Sequence, residues 1–105
     1  DENPTILQPG MIISNEPGMY RTNGYGIRIE NLVLVTEVEK TEFGQFLAFE
    51  TLTLFPIDKN LIDKSLLNEH EIHWLNAYHQ KVFELVAPSL NSEETSWLKE
   101  KCAAI

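Results

Sequence analysis

The chain has 105 residues, 43% of them hydrophobic, which is the size of one domain or a part of one and too apolar for disorder. Sixteen acidic residues against eight basic ones give a net charge of −8, which argues against a nucleic-acid partner, whose phosphates need clustered Lys and Arg. The single Cys102 precludes an intrachain disulfide and fits a reducing compartment, no apolar run approaches the roughly 20 residues of a membrane span, and no secretory signal opens the chain.

Asp1 stands where an initiator Met is expected, so the chain reads as a piece of a longer protein. After the Pro9-Gly10 turn, Met11–Asn15 is a short apolar run and predicts a strand. Pro17-Gly18 is expected to stop it, because Pro17 has no ladder donor and Gly18 permits an unusual turn. Asn23-Gly24 signals a loop. Gly26–Val38 is β-rich, with Arg28, Glu30 and Leu32 on one face and Ile27, Ile29 and Asn31 on the other. Gln45–Phe55 predicts a third strand, ended by Pro56.

The character then changes. Asp58–Leu67 reads as a connector with one helical turn. No internal repeat is evident. Asn68 with Glu71 forms a capping-box pattern, and Ile72, Leu75, Tyr78, Val82, Leu85 and Val86 recur at helical spacing, so an amphipathic helix is expected over 69–87. Pro88 ends it. Asn91 with Glu94 repeats the cap, and Trp97, Leu98 and Cys102 would line the inner face of a final short helix. Strands first and helices second argue α+β. The division expected is 1–57 for the strand-rich part and 58–105 for a helical extension of the same domain.

Glu16 and Glu30 are the leading candidates for chemistry. They lie fourteen residues apart on strands joined by one loop, and neighbouring antiparallel strands bring such side chains to within about 5 Å. One reading is two solvated surface glutamates. The other is a metal site, because close carboxylates repel unless a proton or cation lies between them. Carboxylate oxygens suit manganese, magnesium or calcium and tolerate zinc or cobalt, and paired carboxylates bridge two metals about 3.5–4 Å apart in hydrolytic sites. Arg28, on the face of Glu30, is either an exposed ion-pair partner or a fork that orients a ligating carboxylate. His70 and His73 are three apart, not the four of a zinc-protease helix, and His73 and His79 do not share a face, so all three histidines read as structural. Glu50, in an apolar strand, reads either as a buried, hydrogen-bonded acid near the site or as an outward-facing residue, with a structural role the preferred reading. Trp74 and Trp97 read as core or interface anchors, and Cys102 as packing.

Asn15-Glu16-Pro17-Gly18 followed by Gly26-Ile27-Arg28-Ile29-Glu30-Asn31 resembles the C-terminal part of aminopeptidase P, an Xaa-Pro aminopeptidase among the pita-bread metallopeptidases. Phe49-Glu50-Thr51-Leu52-Thr53-Leu54, Pro56-Ile57-Asp58 and Trp74-Leu75-Asn76-Ala77-Tyr78-His79 resemble the longer cytosolic branch of that family. The resemblance spans nearly the whole chain. It implies the C-terminal part of a pita-bread domain, a cytoplasmic location, and a site for two divalent metals, manganese or in some members zinc. The family's ligands are two Asp, one His and two Glu, of which Glu16 and Glu30 match the two Glu. The Glu matching Glu16 also helps deprotonate the bridging water, and Arg28 matches an arginine that supports the ligand shell. Hydroxide held by the metals attacks the peptide bond before proline. The two Asp and the His belong upstream of Asp1, so the parent is expected to be a metalloaminopeptidase acting on peptides with proline second. The 105 residues alone are expected to be inactive and to hold no metal, since affinity depends on ligand number. A homodimer is expected, with Trp74 and Trp97 as candidate contacts. Two alternatives remain open at this point: a non-catalytic pita-bread binding module, and a prolidase-type dipeptidase.

Overall fold

A computed structural model describes residues 3–105. The strands are β1 (Ile12–Asn15), β2 (Gly18–Tyr20), β3 (Gly26–Arg28), β4 (Asn31–Thr41) and β5 (Gly44–Thr51), and the helices are α1 (Glu69–Val86) and α2 (Ser92–Lys101). The order of strands and then helices is the α+β arrangement expected. The chain forms two compact units, one ending at Thr53 and one running from Leu54 to Ile105.

In the first unit the chain enters β1 through Gln8-Pro9-Gly10-Met11, closed by the Met11 N–H donating to the Gln8 carbonyl at 3.2 Å. Gly10 sits at φ 90, a region that side chains disfavour. β1, β4 and β5 form an antiparallel sheet in that order, and β2 pairs with β3. Asn15 faces Asn31, and Gly18 faces Arg28. These are one register: a step from each pair brings Glu16 opposite Glu30 and Pro17 opposite Ile29. The Ile29 N–H donates to the Pro17 carbonyl at 3.2 Å, but Pro17 has no N–H to return the bond. β1 ends at Asn15, before Pro17-Gly18, as expected, although the register is kept into β2. The same missing bond splits the expected Gly26–Val38 strand into β3 and β4. At the far end the Arg21 N–H reaches the Tyr25 carbonyl at 2.8 Å, and Asn23 turns the loop at φ 58.

β5 stops at Thr51, four residues before the expected end at Phe55. The Leu52 N–H still donates to the Leu32 carbonyl at 2.8 Å, but the Leu32 N–H goes to the Thr53 hydroxyl at 2.8 Å in place of a ladder carbonyl. Of the two sheet faces, the odd-numbered residues of β4 include the buried Val33 and Val35.

In the second unit, Asp58 and Asp63 each accept from the backbone two residues on, both at 3.0 Å, and each starts a 3₁₀ turn, Lys59–Leu61 and Lys64–Leu66. Where one helical turn and no repeat were expected, Asp58-Lys59-Asn60-Leu61-Ile62 and Asp63-Lys64-Ser65-Leu66-Leu67 are a five-residue repeat in both sequence and structure. The Ser65 hydroxyl, then its N–H, hold the Asp63 carboxyl below its ordinary pKa. Both expected capping boxes form, Asn68 with Glu71 on α1 and Asn91 with Glu94 on α2. Asn91→Ala should cost about 1 kcal/mol of unfolding free energy, measured by urea titration; an unchanged midpoint would show that the cap contributes nothing.

Tyr78, Val82 and Leu98 are the buried cluster, against which Leu54, Ile57, Phe83, Val86, Leu90 and Cys102 pack. Leu85 was expected on this stripe but is exposed, because it lies about 90° from the stripe's centre; Phe83 packs there instead. Trp97, expected inward, is half-exposed and meets Phe55 at 6.2 Å, and Trp74 stacks on Tyr78 at 5.5 Å. Lys59 Nζ donates to the carbonyls of Glu100 (3.0 Å) and Ala103 (2.7 Å), which sets a cation at the C-terminal end of α2, where the helix dipole favours it.

Candidate metal centre

The register decides where the two glutamates point. Residues directly opposite in an antiparallel pair share a face, so Glu16 and Glu30 share one. Hydrogen bonds link the odd-numbered pairs, as at Pro17–Ile29 and Arg21–Tyr25. Glu16–Glu30 is therefore a non-hydrogen-bonded pair, the class with the closer approach of about 4.5 Å between Cα atoms. Both side chains are exposed. The split between β3 and β4 thus falls at the acidic pair.

The even-numbered face carries the rest of the cluster. Arg28 is on it, and its Nε lies 3.3 Å from Glu30 Oε2. Tyr20 is on it too, and its ring lies across Gly18 and Gly26: a Cβ on Gly26 would come within 2.6 Å of the ring, and one on Gly18 within 2.8 Å of the phenol oxygen. Only glycine leaves room for the ring there. From that bed the phenol hydrogen-bonds Arg28. This bond first, then the charge of Glu30, and further on that of Glu16, hold the guanidinium above its already high pKa. Tyr20, Arg28, Glu30 and Glu16 form one polar row. Sequence reading found the last three and missed Tyr20. The available signal was parity, since Tyr20 is two steps of two from Glu16, with glycines beside and across from it.

Glu50 faces Leu34 on the same face, four residues along β4 from Glu30 or roughly 13 Å, and is exposed. It is an outward-facing acid apart from the pair. The histidines stand elsewhere, in α1. A groove of about 320 Å³ in the second unit, lined by Phe55, Ile57, Lys59, Trp97, Glu100 and Lys101, includes none of the row.

Glu16 and Glu30 offer hard carboxylate oxygens, a donor set suited to divalent cations. They are two donors, and no group of three or more His, Cys, Asp or Glu able to hold a metal occurs among the described residues. The pair fits part of a metal site and not a complete one.

The family description "Metallopeptidase family M24" matches residues 1–37, and "C-terminal region of peptidase M24" matches residues 45–105. The chain belongs to metallopeptidase family M24. Among its relatives, a probable Xaa-Pro aminopeptidase P from Laccaria bicolor is 45% identical over 98% of the chain and 17% of the relative. Aminopeptidase P2 of Arabidopsis thaliana is 50% identical over 91% of the chain and 14% of the relative. Among solved structures, an X-prolyl aminopeptidase from Caenorhabditis elegans, described as a cytosolic enzyme with a di-nuclear active site, superposes with a TM-score of 0.83 at 41% identity, over 94% of this chain and 17% of that one. The fold is thus the C-terminal part of the aminopeptidase-type pita-bread domain. The chain spans about a sixth of the length of these relatives.

Proposed function

We propose that this chain supplies the two-glutamate side of a dinuclear metal site in an Xaa-Pro aminopeptidase, which removes an N-terminal residue that precedes proline. The observation that carries the proposal is the placement of Glu16 directly opposite Glu30 on one exposed face. Glu16 and Glu30 are the metal ligands in this reading, and Glu16 also takes a proton from the attacking water. Arg28 holds Glu30 in its ligating orientation, and Tyr20 holds Arg28. Bound metals supply Lewis acidity and a water of lowered pKa. The names of the relatives support the substrate class, and the di-nuclear description of the worm enzyme supports two metals. Manganese is the metal proposed, with zinc the alternative, on the hard oxygen donors. Helices long and apolar enough to cross a membrane are absent among the described residues. A cytoplasmic site of action is proposed from the likeness to a cytosolic enzyme. A homodimer is proposed from the half-exposed Trp74 and Trp97.

The experiment is metal depletion of the full-length protein. Chelation should abolish cleavage of a tripeptide with proline second, and two equivalents of manganese should restore it; the 105-residue chain should stay inactive with metal added. Cleavage by the depleted protein, or equal cleavage when alanine replaces the proline, would overturn the reading. Failure to cleave under any condition would favour a binding module, and activity confined to dipeptides would favour a prolidase.

A further inference from the structure

His79 is fully buried on α1, next to Tyr78. The two side chains clasp one segment. Tyr78 Oη donates to the Phe55 carbonyl at 2.9 Å, and the Ile57 N–H donates to His79 Nε2 at 3.0 Å. Between them stands Pro56, which has no N–H. The backbone on either side of Pro56 thus depends on α1 side chains.

The bond to Ile57 needs a lone pair on Nε2, so the neutral ring carries its proton on Nδ1. Nδ1 is buried without a hydrogen-bond partner among the described residues. Protonating Nε2 would set a donor against a donor and bury a cation. The charge that acts on the ring is Lys59, also a cation. Lys59 is fixed by its bonds to the carbonyls of Glu100 and Ala103. Cys102, also within the field of Lys59, has its thiol pushed up by burial and stays neutral.

We propose that His79 is an acid-sensitive latch that holds Phe55-Pro56-Ile57 on α1 when neutral and releases the segment when protonated. Burial, then the Lys59 charge, hold the ring's pKa below its ordinary 6.5, and the Ile57 N–H, which only the neutral ring can accept, favours the same form. In the released state the ring takes its proton near pH 6.5. The closed state is therefore fully favoured above that pH and weakens as pH falls below it, by up to about tenfold in the opening equilibrium per pH unit.

The test is hydrogen exchange by mass spectrometry on a peptide covering residues 55–59 of the full-length protein, corrected for intrinsic exchange. Protection should fall between pH 7.5 and pH 5.0, by at most about 30-fold, the ceiling set by 1.5 pH units below 6.5. In His79→Gln, whose amide oxygen can accept the Ile57 bond but cannot titrate, protection should be the same at both values. Unchanged protection in the parent protein overturns the latch, and so does an equal loss in the variant. Should His79→Gln fail to fold, ¹⁵N-histidine shifts in the parent protein decide. Imidazolium signal growing in step with the loss of protection supports release, and imidazolium with protection retained overturns it.

Discussion

Glu30→Ala should lower kcat/KM of the full-length protein toward a proline-second tripeptide by at least about 10³-fold, which corresponds to the several kcal/mol that a correctly held catalytic metal contributes. Glu16→Ala should do the same or more, since Glu16 both ligates and accepts a proton in the proposed site. Arg28→Ala should cost less, about 10–100-fold, the usual range for a partner that orients a ligand without touching the metal. The order follows from position: Glu16 and Glu30 face each other directly, while Arg28 acts through a 3.3 Å contact to Glu30. Metal content measured by elemental analysis should fall with activity in the two glutamate variants. Near-normal activity and full metal content in either would remove that residue from the site.

Leu98→Ala should be the most damaging simple truncation in the helical unit. Leu98 is 3% exposed and packs with Tyr78 and Val82. Removing its branched end loses the transfer energy and leaves a cavity, together about 3 kcal/mol. The urea midpoint should fall with an unchanged slope. Leu61→Ala is the matched control, because Leu61 is 73% exposed, and its effect should stay within about 0.5 kcal/mol. Equal losses in the two variants would mean that the cluster is not the stabilising core.

Much of this was legible from residue order. The Asn68–Glu71 and Asn91–Glu94 boxes start both helices as their spacing foretold, because a cap is a local contract between residues three apart. The shared face of Arg28, Glu30 and Leu32 was legible from the two-residue period. Pro17 marked the end of β1, but not that the register is kept past the one deleted bond, which depends on the neighbouring pairs. The early end of β5 was hidden because it depends on the Thr53 hydroxyl finding Leu32, twenty-one residues away. Tyr20 was missed because its role depends on two glycines on facing strands, a relation that chain order does not display. His79 was rightly read as structural, but the segment it holds was not visible from helix periodicity.

The register kept across Pro17 dictates where this stretch tolerates a change of length. Inserting or deleting one residue on either side of the acidic pair turns one carboxylate through the sheet. Between Arg21 and Tyr25 extra residues only lengthen the hairpin's tip and leave both arms in phase. A binding epitope or a reporter peptide grafted there would ride beside the acidic row without breaking it.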